Sequence, residues 1–291
     1  MQSEMQFAVI NRIRVQRANA LATPYIISPT VPFAVWGLAH AVGRDIGIQP
    51  AGVGIVHRDA RLLGENEVPN SWRGLFYPHQ YRGATYIDKR DYSSKASTPM
   101  LALQPTVSMH LELSVVFAFG DDAPSPDEIR KSLEARRLAG GQIVSFDDPE
   151  ILTTLDGRDG VMGRLASGGF WIVDRSTELL NSASGRIETL FRKCNDRPAP
   201  GPDGKHPPKR WLNPAVVGYA AITPFEERIG ARQGLHHAFA EPMVGLAEYI
   251  SNRAVETSSP LFWRGSWVGS DVFAVSSTPI SNLVMEETDD D

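Results

Sequence analysis

Phe7-Ala-Val-Ile-Asn-Arg-Ile-Arg-Val-Gln-Arg17 begins as an apolar run and turns into strict alternation. Ile13 and Val15 point to one side; Arg12, Arg14 and Gln16 point to the other. A period of two marks a β-strand with one buried face, and the face opposite is basic and polar. Ala18-Asn-Ala-Leu-Ala-Thr-Pro24 and Ser28-Pro-Thr-Val-Pro32 come next, and their prolines mark a loop. Phe33 to Val42 reads as a helix with Phe33, Trp36, Leu38, Ala41 and Val42 as its apolar positions. Pro32 suits its first turn and Thr30 its cap, and Gly43 and Gly47 end it. Ala51-Gly-Val-Gly-Ile-Val56 is a second strand.

Residues 60–105 differ in character. Trp72, Phe76, Tyr77, Tyr81, Tyr86 and Tyr92 are interleaved with Arg73, Arg82, Lys89, Arg90 and Lys95, and few aliphatic positions are available for a core. The segment reads as an exposed hairpin or long insertion. Thr106 to Phe119 is the clearest strand, with Leu111, Leu113, Val115 and Phe117 lining one face. Pro124-Ser-Pro-Asp-Glu128 opens a helix: Ser125 caps it, Pro126 takes the first position and Glu128 completes a capping box. That helix is expected to run through Ile129, Leu133 and Leu138 and to stop at Gly140-Gly141. Gln142-Ile-Val-Ser-Phe146 is a short strand. With the insertion set aside, the order is βαββαβ, which predicts an α+β, ferredoxin-like fold of the RNA-recognition type.

The second half is less regular. Gly169 to Val173 reads as a strand, and Glu178 to Cys194 as a helix with Leu179, Ile187, Leu190 and Phe191 inward. Pro198 to Pro208 is a Pro/Gly linker. Val216 to Ile222 reads as a strand, and Phe239 to Ile250 as a helix carrying Met243, Leu246 and Ile250. The expected organisation is a ferredoxin-like domain over 1–146 with a thumb insertion at 60–105, a smaller mixed α/β domain over 147–284, and an acidic disordered tail over 285–291.

The chain has 291 residues, 29 Lys+Arg and 34 Asp+Glu, for a formal charge of −5. Glu286, Glu287, Asp289, Asp290 and Asp291 supply five of the acids, so residues 1–285 are neutral. Within that body, residues 1–120 carry a balance of +3, 121–185 of −5, 186–210 of +4 and 211–285 of −2. Phosphate binding needs cations gathered on one face rather than a high overall pI, so the neutral body does not exclude it. An apolar content of 42% supports a sizeable core. No apolar run long enough for a transmembrane helix and no secretory signal pattern is present, which predicts a soluble cytoplasmic protein. The single cysteine, Cys194, excludes an internal disulfide and any multi-cysteine metal site.

Catalytic and cofactor signatures are weak. Cys194 sits beside Leu190 and Phe191 and reads as a structural thiol. There is no G-x-S-x-G elbow and no P-loop, and Gly52-Val-Gly54 lies inside a strand rather than at a helix N-terminus. His236 and His237 are adjacent and would diverge on a helix, so no metal-ligand spacing exists. Glu226-Glu227 and Asp147-Asp148 read as solvated loop charges. His40, beside Trp36, is a residue that a metal-free nuclease could use as acid or base, with a nearby Tyr or Lys; a histidine hydrogen-bonded at the edge of the core is the simpler reading. No cofactor, metal or catalytic residue is expected.

RNA binding is the positive signal. Arg12, Arg14, Gln16, Arg17 and Asn19 line the polar face of the first strand and its C-terminal end. Arg136, Arg137, Gly140, Gly141 and Gln142 put two arginines beside a glycine pair, where exposed backbone N–H groups can hold phosphate oxygens. Trp72, Arg73, Tyr81, Arg82, Lys89 and Arg90 combine stacking surfaces with phosphate-pairing cations.

These same residues resemble a known family. Arg12 to Ala20, the loop and helix after it, and Gly52-Val-Gly-Ile-Val56 are similar to the start of the second subunit of the type I-F CRISPR surveillance complex, the Csy complex, within the Cas-five group of RAMP proteins. Arg137-Leu-Ala-Gly-Gly-Gln-Ile143 resembles that family's Gly-rich loop. Ala215 to Pro224, Val244 to Ser251 and Phe262-Trp263 resemble blocks of its C-terminal half. The resemblance implies a non-catalytic scaffold that binds the 5′ handle of the crRNA, caps the foot of the complex, and helps position double-stranded target DNA. It also implies contacts with a large subunit, where one is present, and with the first backbone subunit, and none with a membrane. Two alternatives stand beside it. One is a Cas-five endoribonuclease that processes precursor crRNA. The other is the subunit of a compact type I-F variant that itself contacts the protospacer-adjacent motif.

Overall fold

In the computed structural model the described residues are 5–66, 76–78, 80–85, 102–165, 168–180, 185–195, 210–228 and 234–283. The strands are β1 (Gln6–Asn19), β2 (Leu21–Thr23), β3 (Ile26–Ile27), β4 (Gly52–Leu62), β5 (Gly64–Asn66), β6 (Phe76–Pro78), β7 (Gln80–Thr85), β8 (Ala102–Phe119), β9 (Arg137–Leu138), β10 (Gly141–Ser145), β11 (Glu150–Leu152), β12 (Phe170–Asp174), β13 (Trp211–Ala221), β14 (Ala240–Ser251), β15 (Phe262–Val268) and β16 (Val272–Thr278). The helices are α1 (Pro32–Ile46), α2 (Pro126–Glu134), α3 (Val161–Arg164) and α4 (Arg186–Asn195). The chain is α+β and mostly strand.

The first half meets the expected order. Strands lie as β4-β8-β1-β10, with α1 between β1 and β4 in sequence and α2 between β8 and β9. The alternation read in β1 is real: Ile10, Ile13, Val15 and Ala18 are buried with Met109, Leu111, Leu113 and Val115 of β8, under Val35, Leu38 and Val42 of α1 and Ile129 and Leu133 of α2. Ser125 caps α2 and Glu128 returns the bond to its backbone, as the sequence predicts. The cap assigned to Thr30 is not made. Val31 occupies the N-cap without a side-chain bond, and the Thr30 hydroxyl pairs instead with Tyr249 Oη at 2.8 Å inside the core.

The second half extends the same sheet. β4 pairs with β8 along one edge; its other edge takes β15 at Val53–Gly54 and β12 at Val56–His57. From there β12 pairs β14, β14 pairs β13, β13 pairs β16 and β16 pairs β15, so the pairing returns to β4 and closes a ring. Gly54 is required at the junction, because a Cβ there would stand 2.6 Å from the Trp171 ring. The opposite face of the sheet buries Phe7, Val9, Val56 and Val116 beneath Leu155, Val161 and Leu165, around α3.

Three further sequence expectations fail for identifiable reasons. Phe239 to Ile250 is a strand, not a helix. Gly245 to Tyr249 are buried one after another, and a strand covered on both faces loses the alternation that would distinguish it. The helix opened by Ser125 ends at Glu134, and Arg137–Leu138 turn back on Gly141–Gln142 as a tight hairpin. Ala139 and Gly140, at φ 48° and 75°, form its two-residue turn. Glu178 to Cys194 is not one helix: a 3-10 turn covers Ser176–Leu179 and α4 starts at Arg186. Leu179 and Leu190 are buried as expected, but Ile187 and Phe191 face outward, because the packed stripe runs through Leu190 and Cys194. The Pro/Gly linker and residues 285–291 lie outside the described residues, as do Trp72, Arg73, Lys89 and Arg90. Tyr81 and Arg82 lie on β7, which pairs with β8.

Candidate RNA-binding face

The face of β10, β1, β8 and β4 turned away from α1 and α2 becomes polar beyond Val9 and Val116. Three irregularities in pairing with β8 build it, beside a fourth between β1 and β10 at Arg14 and Val15. Between Ile10 and Ile13, two residues of β1 oppose one of β8. The same happens between Val15 and Ala18, and β4 carries an extra residue between His57 and Asp59. Such bulges re-aim side chains and increase local twist. Each holds an arginine: Arg12, Arg17 and Arg58. Arg12 and Arg17 adopt φ of 50° and 56°, a conformation uncommon for residues other than glycine.

The first bulge is tied by a polar network. Arg58 Nε donates to Ser114 Oγ at 2.7 Å, and its Nη2 donates to Asn11 Oδ1 at 3.0 Å. Ser114 Oγ donates to Asn11 Oδ1 at 2.9 Å, and the Arg12 amide to Ser114 Oγ at 3.3 Å. Arg12 Nε meets Asp147 Oδ2 at 2.8 Å and Arg14 Nε meets Glu112 Oε2 at 2.9 Å. Burial lowers the Arg58 pKa, the nearby Glu112 carboxylate opposes this, and the guanidinium remains charged. Asp147, read from sequence as a solvated loop charge, is therefore an orienting partner of Arg12.

The remaining predicted residues divide into two groups. Gln16 registers with Gln142, and Gln142 with Arg137 on β9, so three exposed side chains share one row across the sheet. Arg137 has no ion-pair partner among the described residues. The Asn19 amide donates to Ala139 O at 2.8 Å, which fixes the hairpin turn against the end of β1. Gly141 is buried against β1, where a Cβ would stand 2.6 Å from Gln16 O. Arg136 points elsewhere. It pairs with Asp45 of α1, which also accepts from Ser132 Oγ at 2.6 Å, and these bonds lower the Asp45 pKa, the Arg136 bond most.

His40 is on α1, across the sheet from the arginines. Its ring lies 5.3 Å from that of Trp36, and burial followed by the charge of Arg44 lowers its pKa. Cys194 is half-buried, and burial raises its thiol pKa. Among the described residues no group of three or more His, Cys, Asp or Glu is placed to hold a metal, and no helix is long and apolar enough to cross a membrane. Asn11, Arg58, Ser114 and Glu112 escaped the sequence reading. Their signal was the two-residue breaks in register, which a period of two cannot reveal.

The family described as "CRISPR-associated protein (Cas_Csy2)" matches residues 8–272. "CRISPR-associated protein Csy2" of Pseudomonas aeruginosa (strain UCBPP-PA14) is 25% identical over 306 aligned positions, covering 88% of this chain and 90% of that protein. The match runs from the first residues of β1 to the last hairpin and so includes every strand of the arginine-bearing face. The chain belongs to the Csy2 family of CRISPR-associated proteins, second subunits of the type I-F Csy complex.

Proposed function

We propose that this subunit is a non-catalytic RNA-binding protein that holds the 5′ handle of the crRNA at the foot of the complex. The observation that carries the reading is the set of three bulges, each placed at an arginine, on the face away from α1 and α2. Arg12, Arg14, Arg17, Arg58 and Arg137 supply cations for phosphates, and Gln16 and Gln142 supply amides for sugar or base edges. The strand order β4-β8-β1-β10 supports a ferredoxin-like RAMP fold for this part. On this reading the large subunit and the first backbone subunit are its neighbours in the cytoplasm, and target DNA reaches it through the assembled complex. The position of His40, across the sheet from the arginines, gives a nuclease reading no support.

Binding through phosphates makes affinity fall with salt, by about 0.7 in log–log slope per single-strand phosphate neutralised. The test is assembly of the complex on crRNA with and without the 5′ handle, then fluorescence anisotropy across a salt series. A handle-dependent affinity with a steep salt slope is expected. Normal assembly on handle-less RNA overturns the proposal, and metal-independent cleavage of precursor RNA by the isolated chain overturns its non-catalytic part.

A further inference from the structure

The arginine face carries its own anions. Arg12 Nε donates to Asp147 Oδ2 at 2.8 Å, and Arg14 Nε to Glu112 Oε2 at 2.9 Å. Glu112 also lies within electrostatic reach of Arg12 and Arg58, and Asp147 within reach of Arg58. Two carboxylates therefore stand among three guanidinium groups on the surface where a phosphate chain would lie. The row of Gln16, Gln142 and Arg137, farther along the same face, contains no carboxylate.

The backbone fixes both acids in place. The Asp147 amide donates to Asn11 O at 2.9 Å, on the first bulge itself. Glu112 stands directly opposite Arg14 of β1 on one side and Asp59 of β4 on the other. Stability does not account for this arrangement. Arg12 and Arg14 are each 60% exposed, and ion pairs so open to solvent contribute little to folding. Asp59 against Glu112 is a like-charge pair across two strands, which costs stability. What the carboxylates change most is the charge that the face presents.

A phosphate that reaches Arg12 or Arg14 has to displace a carboxylate. One charge-assisted bond is exchanged for another, so the arginine gains little. The released carboxylate is then left beside the phosphate. A strand that offers it a donor, a base amino group or a 2′-hydroxyl, repays the exchange. A strand that offers only phosphate there meets like-charge repulsion, and such a repulsive element discriminates between partners where attraction alone would not.

We propose that Glu112 and Asp147 are specificity-determining residues of the RNA face. They hold Arg12 and Arg14 against RNA at large and release them to a strand that sets hydrogen-bond donors beside the two carboxylates. The proposal rests on the RNA-binding reading above and adds to it the residues that reject the wrong strand.

The test uses the full chain and its Glu112→Gln, Asp147→Asn and doubly substituted variants. Each amide keeps a carbonyl oxygen for the arginine Nε and removes the charge. Fluorescence anisotropy compares a 5′-handle oligonucleotide with an unrelated single-stranded RNA of the same length. The double variant is expected to bind the unrelated RNA about tenfold more tightly and the handle with a smaller gain, so that the ratio of the two affinities falls. Thermal melts should show little change, as for other exposed ion pairs. Unrelated RNA bound no more tightly by the double variant overturns the proposal, and so does an equal gain for both RNAs. Weaker binding of both RNAs also overturns it, since the carboxylates would then only orient the arginines. The wild type tests the underlying reading separately: if it shows no preference for the handle and no salt dependence, the RNA-binding reading fails and the proposal fails with it.

Discussion

Gly141 lies directly on the backbone of Ala18: a Cβ at Gly141 would stand 2.6 Å from the Ala18 nitrogen and 2.7 Å from its Cα. Ala18 closes the second bulge of β1, the one that holds Arg17 at φ 56°. The hairpin glycine thus supports the arginine strand from behind. Its neighbour Gly140 does a different job, since it has open space around it but a φ of 75°.

Gly141→Ala is expected to cost about 1–3 kcal/mol, because rigid backbone on both sides leaves no room to yield. Gly140→Ala should cost about 1 kcal/mol through its φ alone. Thermal melts measure both. Handle affinity should fall for Gly141→Ala beyond what the lost stability accounts for, since the Arg17 bulge shifts, and it should hold for Gly140→Ala.

Arg14→Ala should weaken handle binding and lower the salt slope by about 0.7, without lowering the melting temperature beyond a few tenths of a kcal/mol expected for an exposed ion pair. Arg136→Ala should do the reverse. It unties α2 from Asp45 of α1 and so reduces stability, with handle affinity unchanged. Equal salt slopes for wild type and Arg14→Ala, measured by anisotropy, would remove Arg14 from the RNA face.

Gly54→Ala is expected to destabilise the ring closure by about 1–3 kcal/mol, because the new methyl meets the buried Trp171 ring. Trp171 Nε1 donates to Asn252 Oδ1 at 2.8 Å, so the indole cannot slide without losing that bond. Tryptophan fluorescence and denaturant melts would register the change; an unaltered midpoint contradicts it.

Glu178 links α4 to the sheet. Arg210 Nη2 donates to it at 2.9 Å and Lys193 Nζ at 2.6 Å, and Arg210 and Arg175 both reach Glu248 of β14. The Arg210 hydrogen bond, opposed by partial burial and joined by Lys193, lowers the Glu178 pKa to about 2. A carboxylate depressed in the folded state contributes stability above its unfolded pKa and loses it as pH falls towards the folded one. Stability should therefore drop as pH falls from about 4.5 to about 2, by an amount on the order of 1 kcal/mol after allowing for solvent screening. Glu178→Gln should flatten that part of the pH profile in thermal melts.

The sequence determined the strand–helix order of the first half, the capping box of Ser125 and Glu128, and the side of β1 on which the arginines lie. Each depends on neighbours a few residues apart, and local spacing is what a chain displays. The resemblance carried by Arg12 to Ala20 and by Arg137 to Ile143 pointed to the right family for the same reason. Only the tertiary structure decided that Gly245 to Tyr249 lie in a strand buried on both faces, that β12 and β15 share one edge of β4, and that Arg12, Arg17 and Arg58 sit at bulges. It also decided that Arg136 serves α1 while Arg137, one residue on, faces outward beside Gln142. Bulges, ring closure and two-sided burial are set by which distant strand comes alongside and in what register, and no local period records a partner a hundred residues away.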